Sequence, residues 1–249
     1  IQLKSYNDTR EMVEIKKELS GKDSVVIHDW DKYYYENKLL LAKYNVDSKK
    51  VKEYFEINQV IGGFFHISEL LFGLRYIQIE NASVWHEDVI MYEVYDSEKN
   101  VLMGRFYLDL YPRSNKYQHA AEYTIANGKK MGDSYQLPIA ALVCNFPKGS
   151  IEYPSLLSHE DVETFFHEFG HLIHEIVTKA ELSSQSGTSV VMDFVEAPAQ
   201  MLENWAWNKE SLSFFSRHYK TKKVIPDTLI DRMIASKNLQ SGNDALQQI

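Results

Sequence analysis

The sequence predicts an α+β fold in which helices dominate. Three observations lead there. Segments near both ends carry apolar residues three and four apart, the spacing of amphipathic helices. Between them, after Gly73, lie short segments rich in Val, Ile, Tyr and Phe, the texture of strands. No repeat, low-complexity stretch or linker interrupts the 249 residues, and the 6 Pro and 11 Gly are scattered, so residues 1–249 read as a single domain.

Taken in order, residues 9–19 and 30–56 are expected to be helices. In the second, Trp30, Tyr33, Tyr34, Leu40, Leu41 and Tyr44 keep helical spacing, and Asp29 is the expected N-cap. Residues 61–74 read as a buried helix. Strands are expected at 76–80, 89–95, 101–110, 120–126 and 139–145, with 96–100 (DSEKN) as a hairpin loop. Together they suggest a compact, antiparallel-rich sheet. Helices return at about 159–178, 193–208, 211–218 and 226–237. A block of strands between blocks of helices is the α+β pattern.

Composition narrows the function classes. Lys and Arg number 27 against 35 Asp and Glu, a net charge of −8, which argues against nucleic acid as a partner. The lone Cys144 excludes intrachain disulfides and multi-cysteine metal sites. The most apolar stretch, 61–74, is broken by His66 and Glu69, so no membrane span is expected. The chain opens at Ile1 without a signal-peptide pattern and closes on Gln247-Gln248-Ile249 within a helical stretch, which suggests a segment of a longer protein.

One motif carries chemistry: His167-Glu168-Phe169-Gly170-His171. A helix turns ~100° per residue, so His167 and His171 lie within ~40° of each other and their imidazoles can converge on one ion. Glu168 sits ~100° away, at the rim, where a carboxylate can hold a water. Val162, Phe165, Phe166, Phe169, Leu172, Ile173, Ile176 and Val177 fill the opposite arc and face a core. Ser158 and Asp161 suggest a capping box at the helix start.

A hydrolytic zinc wants three protein ligands and one open position. Glu196, 25 residues beyond His171, is the best third candidate, because that interval holds a helix end, the helix-breaking stretch 183–188 and a new helix. Glu175, Glu181 and Asp193 are weaker candidates. Glu196 has a competing reading as the N3 partner of an Asp193 N-cap. Gln200 and Glu203 share its helix face, where either can accept the outer ring N–H of a ligand histidine. His174, one turn past His171, reads as a core or supporting histidine. Trp85, His86, His119 and Tyr123 read as core aromatics and satisfied histidines, with pocket residues as the alternative.

These residues sit within longer motifs. PSLLSH (154–159) and DVETFF (161–166) precede the histidine motif; Gly187-Thr188 and DFVEAPAQMLENW (193–205) follow it; GRFYLDLYPR (104–113) and KYQHAA (116–121) come earlier. From about Trp30 to Tyr219 the chain resembles the thimet oligopeptidase family of zinc peptidases. The resemblance implies a zincin-like catalytic domain with two zinc-bearing helices. It implies one zinc per chain on His167, His171 and Glu196, with Glu168 as catalytic base. It further implies short peptides as substrates, a monomeric intact enzyme and a cytoplasmic location, with an organelle as the alternative. Ala199 stands where the family usually has Ser. The family's N-terminal helical region and its later His- and Tyr-bearing stretch have no counterpart here, so a non-catalytic zinc- and peptide-binding fragment is the rival reading. As the surface for substrate backbone, residues 140–145 are expected to be an edge strand.

Overall fold

The structure, a computed structural model, describes residues 1–247; Gln248 and Ile249, read above as part of a helical stretch, lie outside the described residues. The fold is α+β, with helices dominant around a mixed sheet. The chain groups into two compact units, residues 1–51 with 225–249, and residues 52–224.

The first unit is helical. α1 (Gln2–Ser20) starts seven residues before the expected helix. Its early turns are held by packing: Asp8 is buried on α1 and accepts the Gly242 amide at 2.9 Å, at the start of α9 (Ser241–Gln247). The single helix expected over 30–56 is broken into α2 (Lys32–Tyr44), α3 (Ser48–Val51) and two 3-10 turns. The break is Asn45, whose φ of 53° is left-handed and ends α2, a conformation Asn tolerates better than most residues. Asp29 does not cap α2; it opens the 3-10 turn Asp29–Asp31, where the capping contacts come from His28 and Asp31. α8 (Asp227–Ser236) falls where it is expected.

In the second unit, α4 (Ile57–Phe72) begins four residues early, because the Glu56 carboxylate accepts the amides of Asn58 and Gln59, each at 3.2 Å. β1 (Leu74–Gln78), β2 (Ile90–Asp96), β3 (Val101–Asp109), β4 (Ala121–Ala126) and β7 (Ile139–Val143) form one sheet in the order β1-β2-β3-β7-β4. β5 (Lys129–Met131) and β6 (Ser134–Gln136) form a separate small hairpin that composition did not reveal.

The sheet is antiparallel-rich, with three antiparallel pairings and one parallel pairing, β3 with β7, where Phe106 lies opposite Ala140. One expectation is corrected: β7 is not an edge strand, because it lies between β3 and β4, and the edge on that side is β4. The physical reason is visible in β7 itself. Ala140, Ala141 and Leu142 are all buried, a continuous apolar run that suits a strand covered on both faces. β4 instead reads Ala-Glu-Tyr-Thr-Ile-Ala and is half to fully exposed.

α5 (His159–Ile176) packs its apolar arc on this sheet and on α4. Phe64 of α4, Phe106 of β3 and Phe165, Phe166 and Phe169 of α5 are fully buried together, with the Phe64 and Phe169 ring centres 4.3 Å apart. Each such ring contributes roughly 1.5–3 kcal/mol. The cluster fixes the roll of α5, and so the direction of its polar arc. α6 (Met192–Glu203) packs against α5, and α7 (Lys209–Phe215) against α4.

Candidate metal centre and active site

α5 starts as the sequence predicts. Ser158 Oγ accepts the Asp161 amide at 3.0 Å, and Asp161 Oδ2 accepts the Ser158 amide at 2.8 Å, closing a capping box. With its apolar arc committed to the core, the helix turns His167, Glu168 and His171 outward, all half-buried. The loop to α6 returns over the end of α5. There Gly187, at φ 51°, sits so close to Glu175 that a Cβ would fall 1.7 Å from its Oε2, so only glycine fits.

α6 then crosses α5. Its N-cap is Val191, and no side chain caps it, so the Asp193–Glu196 capping pair considered above does not form. Glu196 is free to face the two histidines. His167 Nε2 and His171 Nε2 are 3.2 Å apart, and Glu196 Oε2 lies 3.2 Å from the first and 3.3 Å from the second. Two tetrahedral ligands with bonds of 2.0–2.1 Å stand about 3.3 Å apart, so the triangle has the dimensions of one face of a zinc tetrahedron. Among the described residues this is the group of His, Cys, Asp and Glu side chains whose ligand atoms converge in this way.

His167 Nδ1 donates to Glu203 Oε1 at 2.5 Å, which fixes the ring with Nε2 facing the other two atoms. Of the two supporting candidates, Glu203 takes that role; Gln200 is exposed. Burial, partly countered by the Glu196 charge, lowers the His171 pKa and favours the neutral ring that a metal needs. Its Nδ1 is buried with no hydrogen-bond partner among the described residues. Burial raises the Glu168 carboxyl, opposed by the charge of His167 and the nearby Glu122 amide on β4. His174 is not part of the triangle; its ring stands 6.2 Å from Phe194 and its pKa is lowered by burial.

The weaker ligand candidates lie elsewhere. Glu175 is fully buried and accepts the Thr188 amide, Glu181 pairs with Lys130 at 3.4 Å, and Asp193 is exposed. Trp85, His119 and Tyr123 are exposed rather than core residues. Trp85 nonetheless donates Nε1–H to Asp109 Oδ2 at 2.9 Å, and His86 lies 3.6 Å from Asp88.

Sequence reasoning missed a buried ionic cluster at the end of β3. Asp109 accepts from both Arg113 nitrogens (2.6 and 2.7 Å) and lies 2.9 Å from Lys116 Nζ. Lys116 also donates to the carbonyls of Asp109, Tyr111 and Cys144, tying the 110–116 loop to the strand ends. An Asp with Arg and Lys four and seven residues on was the available signal.

Comparison with known proteins agrees with the motif resemblance. The profile of Peptidase family M3 matches residues 3–249. The chain is 44% identical over 226 residues to a thimet-like oligopeptidase of Dictyostelium discoideum, covering 89% of this chain and 34% of that protein. It is 43% identical over 228 residues to saccharolysin of Saccharomyces cerevisiae, covering 88% and 32%. Against oligopeptidase A of Escherichia coli the identity is 39% over 225 residues, covering 90% and 33%. The chain thus spans about a third of the length of these relatives. With a family profile matched along nearly its whole length and relatives at this identity, the chain belongs to peptidase family M3.

Proposed function

We propose that this chain is the catalytic region of a zinc oligopeptidase acting on short peptides, with one zinc held by His167, His171 and Glu196 and with Glu168 as general base. The observation that carries the reading is the triangle of 3.2, 3.2 and 3.3 Å among three candidate ligand atoms, with Glu168 on the adjoining helix position. A zinc ion bound there supplies Lewis-acid polarisation of a carbonyl and acidifies water toward pKa ~7.

The chain's own residues do the rest. Glu203 holds the His167 ring through its Nδ1–H, so the ring cannot swing out of the triangle. Glu168 takes a proton from the attacking water and returns it to the leaving amine, so that the water oxygen joins the carbonyl carbon as the C–N bond breaks. β4 has one neighbour in the sheet, and its free edge lies beside Glu168. An extended peptide can add there as a further strand, held by backbone hydrogen bonds that are indifferent to side chain. This role passes to β4 from the interior strand β7.

The test separates ligand from base. His167→Ala should abolish stoichiometric zinc in the dialysed protein. Glu168→Gln should keep the zinc, while turnover of a quenched-fluorescence peptide by the full-length enzyme falls ~10² to 10⁴-fold. A full equivalent of zinc in the first variant, or near-normal turnover in the second, overturns the assignment.

A further inference from the structure

Strand register assigns the two faces of the sheet. Phe106 of β3, Ala140 of β7 and Thr124 of β4 stand side by side across three strands. The Phe106 ring meets Phe169 of α5, with ring centres 5.3 Å apart, so this row faces α5. Successive side chains on a strand alternate, so the adjoining row, Tyr107, Ala141 and Tyr123, turns to the opposite face. β4 is the edge of the sheet, and Tyr123 therefore ends its row with no strand beyond it.

Tyr123 is 42% exposed and Tyr117, just ahead of β4, is 55% exposed. The two rings meet edge to face, with centres 6.1 Å apart and planes at 84°. The His119 ring packs on Tyr117 at 5.5 Å, and Asn145 Nδ2 donates to the Tyr117 carbonyl at 2.9 Å, anchoring this segment beside the end of β7. Two aromatic rings are thus held in a fixed relation at a strand edge while open to solvent, where an apolar ligand group can relieve their hydration. The same edge strand packs against α5, the helix that carries His167, Glu168 and His171.

We infer that Tyr123, backed by Tyr117, forms a specificity subsite for an aromatic side chain at one of the peptide positions flanking the bond to be cut. The inference rests on the peptidase reading above, with substrate pairing along the free edge of β4. Such a peptide lengthens the Tyr107–Ala141–Tyr123 row by one residue. Directly opposed residues on neighbouring antiparallel strands have Cβ atoms ~4.5–5.5 Å apart, so the substrate side chain opposite Tyr123 lies against its ring. Tyr117 and Tyr123 already form an edge-to-face corner, and a third ring adds to it in the same geometry. The substrate residues before and after point to the α5 face, so the subsite reads one position and not its neighbours.

The test uses the zinc-loaded full-length enzyme and one quenched-fluorescence peptide varied singly to Phe, Ala, Lys or Glu at the four positions nearest the cleaved bond. At one of them kcat/KM should be at least ~5-fold higher for Phe than for Ala, Lys or Glu. Tyr123→Ala should bring the Phe-to-Ala ratio there to within about twofold of unity, while Tyr123→Phe, which keeps the ring, should preserve it. At the adjacent positions neither variant should move the ratio. Should Tyr123→Ala fail to fold, Tyr123→Thr removes the ring with a side chain that strands favour, and reads the same ratio. A wild-type enzyme without a Phe preference at any position, one that prefers Lys, or a ratio that survives loss of the Tyr123 ring overturns the subsite and leaves the peptidase reading standing. An enzyme that cuts none of the peptides overturns the peptidase reading, and the subsite with it.

Discussion

Gly170 is a point of close approach between the two helices that carry the proposed metal ligands, and this makes Gly170→Ala a sharp perturbation. A Cβ there would stand 2.5 Å from Ala199 Cα, 3.0 Å from Ala199 N and 3.1 Å from Pro198 O. Carbon atoms in contact stay about 3.5–4.0 Å apart, so α6 must retreat by about 1 Å. All three crowded atoms are α6 backbone, so no rotamer change relieves them. Glu196 lies one turn before Ala199, and His167 and His171 flank Gly170, so the retreat opens the triangle where it is 3.2–3.3 Å wide. A widening toward ~4 Å no longer matches tetrahedral ligands, and zinc affinity should fall about 10–100-fold, the scale seen when a metal ligand loses its support. Global stability should change less. Overpacking costs about 1–3 kcal/mol, while replacing a mid-helix Gly by Ala returns about 1 kcal/mol. Gly62→Ala is the control: it too is helical, has nothing within 4 Å of its Cβ, and should stabilise by about 1 kcal/mol with zinc affinity unchanged. Chelator competition gives the affinities, and melts in excess chelator give the metal-free stabilities. A Gly170→Ala protein with zinc affinity within twofold of wild type would refute the claim that this helix contact sets the site.

Three further outcomes follow from the same geometry. Glu203→Ala removes the acceptor that orients His167, and zinc affinity should drop about 10–100-fold in the same competition assay. Lys116→Met strips a buried cation from Asp109 and three carbonyls, and urea unfolding should show a loss of about 3–5 kcal/mol; a loss below 1 kcal/mol would mean the cluster is not structural. Burial raises the Asp109 carboxyl, but hydrogen bonds from Arg113, Lys116 and Trp85 outweigh it and hold the pKa at about 2, against an ordinary 3.8. The folded state thus binds this proton more weakly than the unfolded chain, so about 2 kcal/mol of stability is present above pH ~4 and is lost as pH falls toward ~2. Acid titration of stability should show that slope in wild type and lack it in Asp109→Asn.

What the sequence made legible is what depends on neighbours along the chain. The histidine pair, the Ser158–Asp161 cap and the offset to Glu196 are set by helix period and loop chemistry, and Glu203 joined them because residues 196 and 203 share a face. The helix expected over 30–56 is in fact broken into shorter pieces, the first of which ends where apolar spacing runs on through Asn45, whose left-handed backbone stops α2. Strand order was harder, because it is decided by which strands meet and not by any strand alone. β7 looked like a free surface for substrate, although its run of Ala and Leu without polar alternation already marked it as enclosed. β4, with Glu122, Tyr123 and Thr124, carried the polar signature of an edge.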